Sequence, residues 1–389
     1  MKKFLSMLLV FVLAFVLVGC GEEEKDETIR IASVGPTSGE VAVYGNTTKQ
    51  GIELAIKEIN AAGGIKVGDK QMEIEWLGMI DDSALADKAA TAFNTQYAKG
   101  IDLMLGAVTS GATEGLIGQA MGKEVIVLTP TGTADTLTVG ANGDERELRT
   151  NVFRACFNDS YQGEIAAKFL ANNLNKKKVA ILVNQTEPYS VGLTSAFKAT
   201  AATVGIEVAF EGTYQATDSD FNALWNNVKS SGAEAVFVPD YYEKVVAVVT
   251  QGRTAGYEGP IVGADGWDGI LGVDGVDTSV FNNTYFTNHF AADSTESTVK
   301  NFVDKFKAEY DEAPSSFATL GYDAVYLYKA AIEKANSKAY ADVLAVLNSA
   351  DFQVSAVTGN IKFNNGNAVK AAVVMEVKDG AYKYFATIE

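Results

Sequence analysis

The sequence predicts an α/β protein of two doubly wound, parallel-sheet lobes, and three observations carry that prediction. Short apolar runs rich in Val and Ile alternate with amphipathic stretches of helical period. The runs are too apolar to leave one face wet, so helices should cover their sheets on both sides. At about 150 residues per domain, 389 residues allow two or three, and two such series are present, at 29–129 and 179–262. Strands are expected at residues 29–34, 72–77, 103–106 and 125–129, then at 179–183, 208–212 and 235–238. Helical windows separate them at 47–62, 83–98, 161–174, 191–204, 221–230 and 243–255. In the first window Ile52, Ala55, Ile56 and Ile59 fall on one face, with Lys49, Glu53, Lys57 and Glu58 outside it. Gly63-Gly64 stops that helix. Helices return at 299–310, 318–335 and 340–347, before a hairpin-like end of 359–363, a turn at Asn364-Asn365-Gly366-Asn367, and 371–377.

Composition narrows the function classes. With 47% hydrophobic and 21% charged residues, the chain is too apolar for disorder and too polar for a multi-span membrane protein. Forty-nine acidic residues against 32 basic ones give a net charge of −17, the wrong sign for binding nucleic acid. Two cysteines and one histidine cannot assemble a zinc set, and no cofactor is expected, although the count leaves carboxylate-bound metals open.

The first residues predict export. Lys2 and Lys3 precede an uncharged apolar run from Leu5 to Val18, short for a membrane span but suited to a signal-peptide core. Leu17-Val18-Gly19-Cys20 resembles the bacterial lipobox, which implies cleavage of residues 1–19 and lipidation of Cys20. Residues 20–27 then read as an acidic tether. Losing the two leader lysines takes the mature charge to −19 and leaves Cys156 as the unmodified thiol, read as buried and inert. The expected location is extracytoplasmic, lipid-anchored to the bacterial cell membrane.

Catalytic motifs are missing. Gly122-Lys123 is followed by Glu124, and Ile117 stands where a P-loop needs its upstream Gly. No dinucleotide fingerprint follows the first strand, no Gly-x-Ser-x-Gly elbow occurs, and His289 would have to serve any triad. His289 reads as a packed or surface histidine.

Ligands of open parallel sheets bind beyond the carboxyl ends of strands, and polar or aromatic residues gather there. After 103–106 come Thr109, Ser110 and a helix start whose N–H groups can hold an anion. Thr131, Gly132 and Thr133 follow 125–129. Tyr44, Tyr189 and Tyr241-Tyr242 follow other strands, and Asp265 and Trp267 follow Ile261-Val262. Anion donors in one lobe, with an acid and aromatics in the other, suit a zwitterion.

These motifs give the chain a family resemblance. Gly35-Pro36-Thr37-Ser38-Gly39, Tyr44-Gly45, Gly51-Ile52-Glu53-Leu54-Ala55 and Ile59-Asn60-Ala61-Ala62-Gly63-Gly64-Ile65 appear in order. Asp81-Asp82, residues 106–110, Thr129-Pro130, Arg154, Gln162-Gly163 and Tyr189 follow. The sequence resembles the leucine/isoleucine/valine-type extracellular solute-binding proteins of ABC transporters, over residues 28–385. The resemblance implies a type I periplasmic-binding fold whose lobes, 28–155 with 288–358 and 156–287 with 359–389, meet at a three-strand hinge. Carried over, Ser110 and the N–H groups of Ser110 and Thr133 hold an α-carboxylate. The Thr131 carbonyl, the Thr133 hydroxyl and Asp265 hold the α-ammonium. Tyr189 and Tyr241 reach across from the second lobe, while Tyr44 and Trp267 bound the side-chain pocket. Asp265 stands where many relatives have Glu, and Asp240 where small residues are familiar. Asp240 either borders the cleft, admitting a polar or amide-bearing ligand, or caps the helix at Glu243, which is the plainer expectation. The early disulfide of some relatives has no cysteines here.

The implied partners are a free amino acid, an ABC permease and membrane lipid through Cys20, with no nucleic acid and a monomeric chain. A ligand-binding sensor for an amino acid or small amide is the alternative. It is disfavoured because receptor versions usually continue into a span, whereas this sequence stops at Glu389.

Overall fold

The computed structural model describes residues 28–140 and 147–388; the leader at 1–19, Cys20 and the tether at 20–27 lie outside the described residues. The first lobe opens with β1 (Thr28–Gly35), α1 (Ala42–Ala61), β2 (Ile65–Val67), β3 (Lys70–Asp81) and α2 (Ala86–Tyr97). It continues through β4 (Leu103–Leu105), α3 (Ser110–Ala120), β5 (Ile126–Thr129), α4 (Thr136–Val139) and β6 (Val152–Arg154). The second lobe starts with α5 (Asp159–Lys168), β7 (Lys178–Asn184), α6 (Pro188–Val204), β8 (Glu207–Tyr214) and α7 (Asn222–Ser231). After these come β9 (Ala235–Phe237), α8 (Tyr242–Thr254), β10 (Ile261–Gly263) and β11 (Thr284–Asn288). Three helices, α9 (Ser297–Tyr310), α10 (Ser316–Ala335) and α11 (Tyr340–Leu347), return to the first lobe. The chain ends with β12 (Gln353–Ala356), β13 (Gly359–Asn364), β14 (Asn367–Val369), β15 (Ala372–Lys378) and β16 (Ala381–Ile388).

The first sheet runs β2-β3-β1-β4-β5-β6, parallel apart from the β2–β3 pair. The second runs β16-β15-β11-β10-β9-β7-β8, parallel from β8 to β11 with β15 and β16 antiparallel at its edge. In each sheet the winding reverses beside one strand: β1 lies between β3 and β4, and β7 between β8 and β9. Such reversals open a crevice at the carboxyl ends of the strands.

Strand alternation explains why both faces are covered. Leu103, Leu105, Ile126 and Leu128 point into one core with Ile52, Ile56 and Ile59 of α1. Met104, Val125 and Val127 point into the opposite core with Phe93 and Leu116 of α2 and α3. The second sheet divides likewise, Ile181 and Phe237 toward Phe197 of α6, Leu182 and Val236 toward Trp225 of α7. Each such large side chain contributes about 1.5–3 kcal/mol by leaving water.

The α1–α10 crossing is set by two glycines. A Cβ at Gly51 would lie 1.8 Å from the Ala318 carbonyl oxygen, and one at Gly321 2.5 Å from that of Thr48. Gly51→Ala forces the helices apart and should destabilise the protein by about 1–3 kcal/mol or more. Urea denaturation checks this; an unchanged midpoint would contradict the close packing.

The turn at Asn364–Asn367 forms, with Asn365 and Gly366 at φ 49° and 74°, as a two-residue hairpin turn requires. The expected hairpin of 359–363 with 371–377 does not form. Residues 359–364 pair instead with 353–356 and 367–369, and their Ile361 joins Phe352 in the first lobe's core. Residues 372–378 pair with β11 and β16. The chain passes between lobes three times, after β6, after β11 and after β14. Lys370 ties two crossings, donating to Thr358 Oγ1 (2.7 Å) and the Ala155 carbonyl (3.4 Å). Among the described residues no helix is long and apolar enough to cross a membrane.

Candidate functional site

The first-lobe side of the crevice is built from two loops. Val108 and Thr109 follow β4, Thr109 in extended conformation, and lead into α3, whose first N–H groups have no intrahelical acceptor. Ser110 Oγ accepts from the Ala134 N–H (3.2 Å), so the first loop is bound to the second. Thr131 Oγ1 donates to the Val108 carbonyl (2.7 Å). Arg154, fully buried, fixes the second loop from behind by donating to the carbonyls of Gly132 (3.1 Å) and Ala134 (2.8 Å). Cys156 Sγ also donates to Gly132 (3.2 Å); burial pushes its pKa up to about 12, which fits the inert thiol expected.

The second lobe supplies an acid and its holders. Asp265 follows β10, and its Oδ1 accepts from the Tyr189 hydroxyl (2.7 Å). The same hydroxyl accepts from the Gly266 N–H (2.9 Å). Asp265 Oδ2 lies 3.1 Å from His289 Nε2. A carboxylate only accepts, so Nε2 carries the proton and Nδ1, without a partner, is left as a bare acceptor. Burial, chiefly, and the Lys370 charge pull the histidine down to about 4, which keeps the imidazole neutral; it stacks on Phe157 at 3.7 Å. Tyr189 and Tyr241 are stacked at 4.9 Å, and burial raises both phenols well above their usual range, so they stay protonated donors.

Tyr44 closes the lobes on each other. It lies in the first turn of α1, its ring stacked on Phe317 of α10 at 4.1 Å and edge-on to Tyr241 at 5.7 Å. Its hydroxyl donates to the Gly266 carbonyl and accepts from the Tyr242 N–H (3.2 Å). Asp268 also crosses the cleft, with Oδ2 accepting from the Ser316 N–H (2.7 Å).

Ser110, Thr131, Thr133, Tyr189, Tyr241, Asp265 and Tyr44 line one small, tightly closed cavity between the lobes. Trp267 does not. It is fully buried in the second lobe's core, with its Nε1 donating to the Val238 carbonyl (2.8 Å) and its ring over Gly263. Phe317 provides the wall assigned to Trp267. Asp240 does not cap α8, because its Oδ1 accepts from the adjacent Tyr241 N–H (2.8 Å). Its Oδ2 takes Asn184 Nδ2 (3.1 Å) and the Tyr214 hydroxyl (2.7 Å).

Sequence reasoning gave no site role to Phe317, His289 or Asp159: Phe317 lines this cavity, whereas His289, packed as expected, and Asp159 lie buried outside its lining. Asp159, in the first turn of α5, is fully buried with neither carboxylate oxygen hydrogen-bonded. Burial, above all, and the Asp135 charge raise its pKa well above the carboxylate range. A signal existed for two of them, since His289 and Phe317 directly follow β11 and open α10. The site joins donors from helix α3 and hydroxyls on one side to an acid on the other. Donors on one side and an acid on the other are the two halves that the charged ends of a zwitterion require. Among the described residues, no three His, Cys, Asp or Glu side chains come together as a metal-binding group.

Comparison with known proteins gives a consistent result. The family described as "periplasmic binding protein" matches residues 28–381. The chain is 32% identical to the Leu/Ile/Val-binding protein BraC3 of Rhizobium johnstonii over 335 residues, 86% of this chain and 87% of that one. It is 31% identical to the leucine-, isoleucine-, valine-, threonine-, and alanine-binding protein of Pseudomonas aeruginosa over 348 residues, 88% of each. Among solved structures, the branched-chain amino acid transporter substrate-binding protein LivJ from Streptococcus pneumoniae, in complex with isoleucine, has a TM-score of 0.81. It is 31% identical, covering 92% of this chain and 98% of that one. The leucine-binding protein LivK from Thermotoga maritima has a TM-score of 0.83 at 26% identity, covering 93% and 99%.

Proposed function

Because the chain belongs to the periplasmic binding protein family, we propose that it captures a branched-chain or related L-amino acid between its lobes and delivers it to an ABC permease. The observation that carries this reading is the position of Asp265, held by Tyr189 and His289 across the cleft from Ser110 and Thr133. The helix α3 N–H groups, Ser110 Oγ and the Thr133 N–H take the α-carboxylate, without any need for a basic patch on an acidic protein. Asp265, with the Thr131 carbonyl and the Thr133 hydroxyl, takes the α-ammonium. Tyr44, Tyr241 and Phe317 enclose the side chain. No bond is made or broken; the protein is a carrier whose ligand stabilises the closed lobes by touching both.

We take the lobes as 28–155 with 288–369 and 156–287 with 370–388, moving the third boundary from 358 because Ile361 and Ala368 pack in the first core. Cys20 is the proposed lipid anchor of an extracytoplasmic protein. Cys20→Ser should release the mature chain from the membrane, and palmitate labelling that persists in this variant sinks the anchor.

Ligand binding to the native state alone raises the melting temperature. A thermal-shift screen of the twenty L-amino acids should single out leucine, isoleucine or valine among those that stabilise. A flat response across the whole panel would remove the amino-acid reading.

A further inference from the structure

Past Thr109 and Tyr241 the cleft widens into an outer cavity of about 230 Å³, which shares those two residues with the inner one. Its wall is acidic, carrying Glu40, Glu187, Asp240 and Glu243. Lys244 also lines it, with its Nζ donating to the Asp218 carbonyl (2.9 Å). Asp240 has its oxygens committed to Tyr241, Asn184 and Tyr214. Glu187 is different. It is half-buried at the start of α6, faces Asp240 electrostatically, and its side chain forms no hydrogen bond or ion pair among the described residues. Burial and the Asp240 charge push it up to about 7, the behaviour of a carboxylate in want of a cation.

A second, independent group points the same way. Thr109 Oγ1 is buried, lines both cavities and has no hydrogen-bond partner. A purely aliphatic ligand side chain leaves that hydroxyl unpaired, which is costly in a buried site. A terminal ammonium brought to the junction of the two cavities can donate to Thr109 Oγ1, with Glu187 on the outer wall as its counter-charge.

We propose that the outer cavity is a subsite for a positively charged side chain, so that the protein takes L-amino acids of the lysine and ornithine type as well as aliphatic ones. This rests on the reading that the inner cavity holds the α-ammonium and α-carboxylate. Glu187 supplies the counter-charge, and Thr109 Oγ1 accepts a hydrogen bond from the same ammonium.

Calorimetric titration of the purified protein with L-lysine, L-norleucine and L-leucine tests it, in the wild type and in Glu187→Gln. L-Norleucine has the same straight chain without the terminal ammonium. Wild-type protein should bind L-lysine about tenfold more tightly than L-norleucine, the usual scale of a charge-assisted contact. Glu187→Gln should abolish that preference and keep the L-leucine affinity, which also shows that the variant is folded. Lysine binding no tighter than norleucine, or a preference that survives Glu187→Gln, overturns the subsite while leaving leucine capture intact. Failure of all three amino acids to bind overturns both the subsite and the amino-acid reading beneath it.

Discussion

Asp265→Ala should lower the affinity for L-leucine by about two to three orders of magnitude, because it strands a buried ammonium without its acid. Asp265 is 3% exposed, so solvent cannot replace its carboxylate. Its loss also leaves the Tyr189 hydroxyl and His289 Nε2 without an acceptor, in a cavity where both are buried. Asp265→Asn separates charge from hydrogen bonding. The amide oxygen can still accept from Tyr189, yet the ammonium loses its counter-charge, so the variant should fold well and bind weakly. Calorimetry with both variants measures the difference. Leucine affinity within threefold of wild type in Asp265→Ala removes this residue from the ammonium site.

The second large effect is expected at a residue that does not line the cavity. Arg154→Met should cost about 2–5 kcal/mol of stability and weaken leucine binding as well. The guanidinium is wholly buried and holds two carbonyls of the loop that presents Thr131 and Thr133. Removing it leaves the Ala134 carbonyl without that donor and the Gly132 carbonyl with only the Cys156 thiol. It also removes the nearby cation that favours the ionised form of buried Asp159 against the burial that disfavours it. Methionine keeps most of the volume, so the loss reflects hydrogen bonds and charge more than a cavity. Urea denaturation reads the stability and calorimetry the affinity. Full stability in this variant contradicts the role of Arg154 as the loop's support.

Much of this architecture is legible in the sequence because parallel sheets covered on both faces leave near-continuous apolar runs. Residues 103–105, 126–129 and 178–184 are of that kind. The strand at 284–288 is not, since Thr284, Thr287 and Asn288 interrupt it although every residue is buried. Missing that strand also hid His289, which would otherwise have stood out as a residue at a strand's carboxyl end. Phe317 was lost by one residue, because the helical pattern of α10 is apparent only from Ala318. Trp267 misled for the opposite reason. It follows a strand, as the site residues do, but Gly263 leaves room for its ring to fold back into the core. Asp159 and Asp240 could not be placed from sequence, since only the packing of α5, β7 and β8 around them decides which oxygens find partners.

The central claim is that the cleft grips both charged ends of one amino acid. Its most direct test is calorimetric titration with L-leucine beside 4-methylpentanoate, which lacks the ammonium, and 3-methylbutylamine, which lacks the carboxylate. L-Leucine should bind, and each analogue should bind at least about a hundredfold more weakly, because each leaves one buried charged or donor-rich end of the site unpaired. An analogue that binds as tightly as L-leucine would contradict the account.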